Sequence, residues 1–154
     1  MCAPEWKATI GAGLAAAAAS AFAQLLLWAL FTDALPGILY RDVRLTAALV
    51  MGPDALARAD RFDALLMLLA GAVHLALSLA YAWILAWPLA RFTLAQSLGA
   101  GAGFGAALFA VNLYGFTAFF PWFAAARDWI TFAAHLVFGV TAAAAYKCLE
   151  PRAR

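Results

Sequence analysis

The stretch ALLMLLAGAVHLALSLAYAWILAW, residues 64–87, decides the fold of this chain. It contains no Lys, Arg, Asp or Glu, and it exceeds the roughly 20 apolar residues that a helix needs to cross a bilayer. Three other apolar stretches also lack charged residues and fall within the range of about 17–25 residues for a membrane-spanning helix: residues 8–31, 97–119 and 129–146. Backbone polar groups in lipid must be satisfied internally, and none of the four stretches alternates as a barrel strand does. Each stretch therefore predicts a transmembrane helix.

The composition of the whole chain agrees with this interpretation. Of its 154 residues, 68% are hydrophobic and 12% are charged, about half the charged share of roughly 25% in soluble domains. We therefore predict an all-α integral membrane four-helix bundle, forming a single transmembrane domain over residues 1–154 with the lipid bilayer as its partner. A net charge of +2 and the lack of a basic run argue against nucleic acid.

Residues 32–63 form the one long loop between the predicted spans. Within it, residues 41–51 begin with charge and continue apolar, but they are too short to span, so they predict an interfacial helix. Pro53-Asp54 is a helix-start signal, which predicts that the second long helix begins near Asp54 with Asp54 and Arg58 paired. We expect Pro88 and Pro121 to end the second and third spans. The short later loops predict that the second, third and fourth helices are antiparallel neighbours.

The first apolar stretch imitates a secretory signal, with Lys7 before an Ala-rich core, but it continues to Phe31 and predicts a retained span. The two cysteines, Cys2 and Cys148, form no metal-binding or redox motif. Lys and Arg tie at five on each side of the membrane, so the positive-inside rule does not decide the orientation. Because residues 32–63 are typical of a translocated loop, we expect both termini in the cytoplasm of a bacterium, with the chain in the inner membrane.

Glycines in the third span recur at a spacing that favours helix packing. Gly99 with Gly103, and Gly101 with Gly105, form two overlapping G-x-x-x-G pairs. Small residues let helix backbones approach closely in lipid. A nucleotide-binding loop is excluded because no strand precedes these glycines.

Each span contributes one large uncharged polar side chain, and at about 1.5 Å per residue all four fall in a slab about 5 Å thick. These residues are Gln24, His74, Asn112 and His135. Supporting residues share their helix faces: Ser78 and Tyr81 with His74, and Asp128 and Thr131 with His135. Buried polar groups must find partners in lipid, so we expect this polar layer to point inward.

Three interpretations of the polar layer remain open. It could be interhelical hydrogen bonding, a pathway or binding site for protons or a small polar solute, or a haem b site ligated by His74 and His135. We expect no enzyme, no resident cofactor and no metal site, because no span contains a carboxylate. Asp128 lies seven residues from His135, about 10 Å along a helix, which is too far for a direct bond.

Four segments carry a family resemblance: Gly71-x-x-His74-x-x-x-Ser78, the run from Gly103 to Asn112, Pro121-Trp122, and Ala134-His135-Leu136-Val137-Phe138. Over residues 64–146 the chain resembles the YagU-like family of bacterial inner-membrane proteins. That resemblance implies a multi-pass inner-membrane protein with a role in acid resistance. Asn112 stands where a member of that family has a further histidine.

The expected function is therefore a response to pH or acid, or the handling of protons or a small solute, through the polar layer. The alternatives are a haem b-binding subunit, an accessory subunit of a larger membrane complex, and a small symporter-like transporter. Because the chain is much shorter than symporters of ten or so helices, a transport role would need assembly into a homo-oligomer or larger complex.

Overall fold

The computed structural model describes residues 4–57 and 61–151, and within these residues the regular structure is helical throughout. Its α-helices are α1 (Trp6–Phe31), α2 (Gly37–Met51), α3 (Ala64–Leu89), α4 (Leu94–Ala110) and α5 (Trp129–Leu149). Helices α1, α3 and α5, together with α4 and its continuation to Ala118, are long and apolar enough to cross a membrane. The predicted all-α membrane bundle is confirmed. Below, the loop end is the end of the bundle that carries α2, and the terminal end is the opposite one.

Side-chain caps explain where the long helices start. Asp63 accepts hydrogen bonds from the backbone N–H groups of Leu65 and Leu66, and Asp128 accepts one from Thr131. Thr93 and Gln96 form a capping box at the start of α4. Each cap satisfies N–H groups that have no partner within the helix, which is worth about 1 kcal/mol.

The prediction that the second long helix begins near Asp54 is wrong. Gly52 adopts a φ of +78°, after which Pro53–Leu56 makes a single 3-10 turn that ends at Ala57. The long helix starts at Ala64 because Asp63 supplies the cap. The pairing of Asp54 with Arg58 falls on a residue outside the described part of the chain.

Pro88 lies one residue before the end of α3, and Pro121 follows the third span, which ends at Ala118, so both prolines stand close to the predicted span ends. Helix α3 runs through Pro88 to Leu89. The α-helical part of the third span ends earlier, at Ala110, and continues as a π-helical turn (Val111–Gly115) and a 3-10 turn (Phe116–Ala118). Pro121 begins a further 3-10 segment, Pro121–Ala126, for which its fixed φ is suited.

Helices α4 and α5 are in backbone contact through one of the two glycine pairs. A Cβ added at Gly101 would meet the carbonyl oxygen of Gly139, and one added at Gly105 would meet that of His135. At Gly99 and Gly103 an added Cβ would meet nothing within 4 Å. Gly99 and Gly103 therefore face away from the contact between α4 and α5, and the packing role expected for this pair is not seen within the bundle.

The four spanning helices are arranged in the order α3, α1, α5, α4, with α5 packed against both α1 and α4. The expectation that the second and third spans are close neighbours is wrong, because the backbones of α3 and α4 approach each other only locally. Small residues on α1, α4 and α5 let those three helices pack tightly, whereas Tyr81 on α3 meets Phe104 on α4 at 6.5 Å between ring centroids. Bulky side chains thus hold α3 away from α4.

Helix α2, the predicted interfacial helix, packs across α3 at the loop end. Its buried face includes Leu45, Ala47 and Ala48. Arg44 is also buried, and it donates hydrogen bonds to the carbonyl oxygens of Ala55 (3.2 Å) and Arg61 (3.0 Å). These bonds fasten α2 to the segment that leads into α3.

Candidate functional site

A cavity of about 560 Å³ lies in the loop-end half of the bundle and is open on one side. All five helices contribute to its walls, and most lining side chains are apolar or aromatic. Every member of the predicted polar layer lines this cavity: Gln24, His74, Asn112 and His135. The structure thus brings together four polar residues from four helices around a single space.

The supporting residues divide into two groups. Ser78, Tyr81 and Thr131 also line the cavity. Asp128 does not line it, and its carboxylate caps α5 by accepting a hydrogen bond of 2.8 Å from the backbone N–H of Thr131. Its part is therefore to start the helix that carries Thr131 and His135.

One hydrogen-bond chain crosses the cavity from α3 to α5. The Tyr81 hydroxyl donates to Oδ1 of Asn112 (2.8 Å), and Nδ2 of Asn112 lies 3.5 Å from Nε2 of His135. On the other side of the imidazole, Nδ1 lies 2.8 Å from the Thr131 carbonyl oxygen. Because a carbonyl only accepts, Nδ1 carries the proton, and Nε2 of a neutral ring is then the acceptor for Asn112. The chain is satisfied with His135 neutral.

A second set of polar contacts links the polar layer to the membrane surface. Nε2 of Gln24 lies 3.5 Å from the Thr131 hydroxyl and 3.4 Å from Oδ2 of Asp42 on α2. Oδ1 of Asp42 is paired with Arg41, through Nε at 2.8 Å and Nη2 at 2.7 Å. Asp42 lines the cavity, so a carboxylate borders a space for which the spans themselves supply none.

The ionisation of Asp42 is disfavoured by its surroundings. Burial raises the pKa of the Asp42 carboxyl, the neighbouring Arg41 guanidinium partly opposes this, and the negative charge of Asp128 adds to the rise. The net effect is a pKa above the ordinary value of about 3.9.

His74 is placed on the cavity wall by a separate contact. Its Nε2 lies 3.3 Å from the carbonyl oxygen of Ala17 on α1, so Nε2–H donates to that carbonyl. Both histidines thus direct Nε2 at protein atoms. The two imidazoles do not each point a free nitrogen at a common ligand between them. The geometry does not favour haem ligation, and in the part of the chain that the structure describes no three His, Cys, Asp or Glu side chains cluster to hold a metal.

The cavity is covered at both ends of the bundle. The terminal end is filled by a tightly packed cluster that includes Ala12, Leu89, Phe138 and Tyr146. At the loop end, α2 lies across the end of the cavity. The indole N–H of Trp122 donates to the carbonyl oxygen of Leu45 on α2 (3.1 Å). Phe120 and Phe123 from the turn after α4 complete this cover.

Arg127 stabilises the irregular end of the third span. Its Nε donates to the Leu113 carbonyl (2.6 Å), its Nη2 donates to the Thr117 hydroxyl (2.8 Å), and its guanidinium lies 4.4 Å from the centre of the Tyr114 ring. A π-helical turn leaves backbone groups without their usual partners, and π-turns often occur at functional sites. Arg127 supplies a donor for one of them, so the turn that carries Asn112 is held in place.

Sequence reasoning missed Asp42 as a member of the site. The charge of Asp42 and its place in a short amphipathic segment predict a position at the surface. Nothing in the local sequence pattern indicates that α2 packs over the bundle. Phe120 and Phe123 also line the loop end of the cavity, and their local sequence does not distinguish them from aromatic residues at a membrane interface. Comparisons with protein-family models, curated proteins and solved structures found no match for this chain.

Proposed function

We propose that this membrane protein binds a small, largely apolar molecule in the cavity and performs no chemical step on it. The observation that carries this proposal is the convergence of Gln24, His74, Asn112 and His135 on one apolar cavity of about 560 Å³. Sites for small molecules are concave, mostly apolar, about 300–1,000 Å³ in volume, and contain a few polar groups that orient the ligand. Structural hydrogen bonding alone needs no such space.

The bilayer is the source of the bound molecule in this proposal. Both ends of the cavity are covered, so its open side lies between spanning helices, next to α3. Three lining residues within the spans, Leu25, Leu77 and Phe116, are more than a third exposed. A molecule dissolved in the lipid would reach the polar layer sideways without crossing the headgroups.

A proton wire receives less support than a binding site. The chain through the polar layer passes through the side-chain amides of Asn112 and Gln24, which do not take up and release protons near neutral pH. His135 is hydrogen-bonded on both ring nitrogens in a way that suits the neutral imidazole.

Response to acid is a second candidate function, and the observation that favours it is Asp42. This partly buried carboxyl connects α2 to α1 through Gln24, and its partial burial raises its pKa, so acidification changes the charge at the cavity rim. The resemblance to the YagU-like family points the same way.

We also propose the bacterial inner membrane as the location, with both termini in the cytoplasm. A C-terminal fusion to a fluorescent protein that matures only in the cytoplasm tests that orientation.

The binding proposal is tested by filling the cavity. Gly71 lines the cavity, and a Cβ added there meets nothing within 4 Å, so Gly71→Leu adds a side chain that starts from open space at the cavity wall. Gly103→Leu is the matched control, because Gly103 is also an exposed helical glycine with open space but does not line the cavity.

Each variant and the parent chain are reconstituted in vesicles of zwitterionic phospholipid and exposed to a twelve-carbon alcohol that carries a photoreactive diazirine. Mapping of the labelled residues should give labelling at Leu77 and Leu108 in the parent chain and in Gly103→Leu, and a several-fold loss in Gly71→Leu. Equal labelling in all three proteins, or labelling confined to residues outside the cavity, would refute the proposal.

A further inference from the structure

We infer that the bound molecule is a lipophilic amine, whose protonated amino group pairs with the Asp42 carboxylate while its apolar body occupies the rest of the cavity. This inference rests on the binding function proposed above and adds the chemical class of the ligand.

The charge of the cavity wall is the first argument. Asp42 lines the cavity, and within residues 4–57 and 61–151 no Lys or Arg does. Arg41 approaches Asp42 from outside this wall and engages Oδ1. A ligand in the cavity therefore meets a carboxylate without meeting its compensating guanidinium, which favours a cation over a neutral or anionic group.

The hydrogen-bonding capacity left at the polar groups is the second argument. Among the described residues, Oδ2 of Asp42 has one hydrogen-bond contact, the long one of 3.4 Å from Gln24. The amide nitrogen of Gln24 is directed at Asp42 and Thr131, which leaves its Oε1 as an acceptor. The Nε2–H of His74 donates to Ala17, so Nδ1 of the neutral ring is also an acceptor. The capacity left at Asp42, Gln24 and His74 is for accepting, whereas the indole N–H of Trp28, on another lining residue, is a buried donor without a partner among the described residues. An ammonium group supplies three donors for the acceptors.

Aromatic rings near Asp42 are the third argument. Trp28 lies one turn after Gln24 on α1 and lines the cavity. Phe123 lines the same space and packs against the buried cluster that contains Leu45 of α2. Aromatic faces attract cations that are removed from water, by about 2 kcal/mol where the site is dry. These rings stand at the end of the cavity that contains the carboxylate.

The direction of the cavity matches an amphiphile in a bilayer. Asp42 belongs to the interfacial helix α2, whereas the opposite end of the cavity is bounded by Tyr81, Leu108 and Phe138 within the spans. An amine at the interface with its chain toward the bilayer centre has this orientation in a lipid leaflet. Burial also raises the pKa of Asp42, so an arriving ammonium would relieve the cost of keeping this carboxylate ionised.

The test uses competition against the photoreactive alcohol in the same zwitterionic vesicles, with the full-length chain. Three competitors have one twelve-carbon chain and different polar ends: dodecylamine, dodecanol and dodecanoate. We expect dodecylamine to displace the label at about ten-fold lower membrane concentration than dodecanol, and dodecanoate to be the weakest.

Asp42→Asn should reduce the amine to the level of the alcohol, and persistent labelling by the photoreactive alcohol shows that its cavity is intact. Asp33→Asn is the control, since Asp33 is exposed and lies away from the cavity wall. It should keep the ten-fold preference.

The outcomes separate this inference from the binding function. Displacement by all three competitors at similar concentrations, or an unchanged amine preference in Asp42→Asn, overturns the amine assignment and leaves the binding function standing. No labelling of the cavity in the parent chain overturns both.

Discussion

The Tyr81 hydroxyl donates a hydrogen bond of 2.8 Å to Oδ1 of Asn112 and so connects α3 to the π-helical turn after α4 at the wall of the cavity. The backbones of these two helices otherwise stay apart, and the same tyrosine ring meets Phe104 edge to face at 6.5 Å between centroids. Asn112 passes the connection on to His135 of α5. Through Asn112, Tyr81 of α3 is thus linked to the third and fourth spans at the cavity wall.

Tyr81→Phe removes this hydroxyl while keeping the ring. Hydrogen bonds between helices in a membrane contribute about 0.6 kcal/mol and rarely more than about 1.7, so we expect a loss of that size in the free energy of unfolding. Thermal denaturation in detergent measures it. Tyr114→Phe is the control, because Tyr114 is exposed and its ring remains for the contact with Arg127. An equal effect of the two changes would show that the bond to Asn112 contributes nothing.

Gly101→Ala should destabilise the bundle. The new Cβ would collide with the Gly139 carbonyl oxygen, which belongs to the backbone and is not free to rotate away. Overpacking of this kind costs about 1–3 kcal/mol. Gly103→Ala adds the same methyl group where nothing lies within 4 Å, and should be neutral or slightly stabilising. If the two variants melt at the same temperature, α4 and α5 do not pack as described.

Arg44→Ala should loosen the loop between α2 and α3. The buried guanidinium donates to the carbonyls of Ala55 and Arg61, and its removal leaves two backbone acceptors without that donor. The expected cost is about 1–3 kcal/mol, confined to this region. Limited proteolysis with chymotrypsin at the exposed Phe62 should become at least about five-fold faster, since 1 kcal/mol of easier local opening corresponds to that factor.

The matched control for this experiment is Arg91→Ala. It removes an exposed guanidinium from the opposite end of the bundle, where the described part of the chain offers it no hydrogen bond. An unchanged cleavage rate in Arg44→Ala would contradict the anchoring role.

Because of Asp42, the folded state should be more stable in mild acid than at neutral pH. Burial raises the pKa of this carboxyl, so between about 3.9 and the raised value the folded state binds more protons than the unfolded state. The free energy of unfolding therefore falls as pH rises through that window and is greatest below it. Lowering the pH from 7 toward 4 should raise the melting temperature of the parent chain relative to that of Asp42→Asn.

Asp33→Asn, a change at an exposed carboxylate, should follow the parent chain across the same pH range. Parallel melting curves for the parent chain and Asp42→Asn would show that the folded and unfolded states bind protons equally at Asp42.

The sequence predicted the helices better than their arrangement. Residues 64–87 matched α3 closely because the length of a span is a local property of the chain. The depth of Gln24, His74, Asn112 and His135 followed from helix direction and rise alone, and these four side chains do share one cavity. The start signal at Asp54 failed because the φ of Gly52 and the cap from Asp63 moved the helix start to Ala64.

By itself, then, the sequence determined that this chain has four helices long and apolar enough to cross a membrane, and that each of them carries one large polar side chain. The tertiary structure alone decided that α3 stands apart from α4 and that Gly101 rather than Gly103 meets α5. It also decided that α2 lies over the cavity and brings Asp42 to its wall. The reason is physical. Hydropathy and helix rise are summed over neighbouring residues. The sideways position and rotation of helices in lipid depend instead on contacts between segments far apart in the chain, such as those of Gly101 with Gly139 and of Trp122 with Leu45.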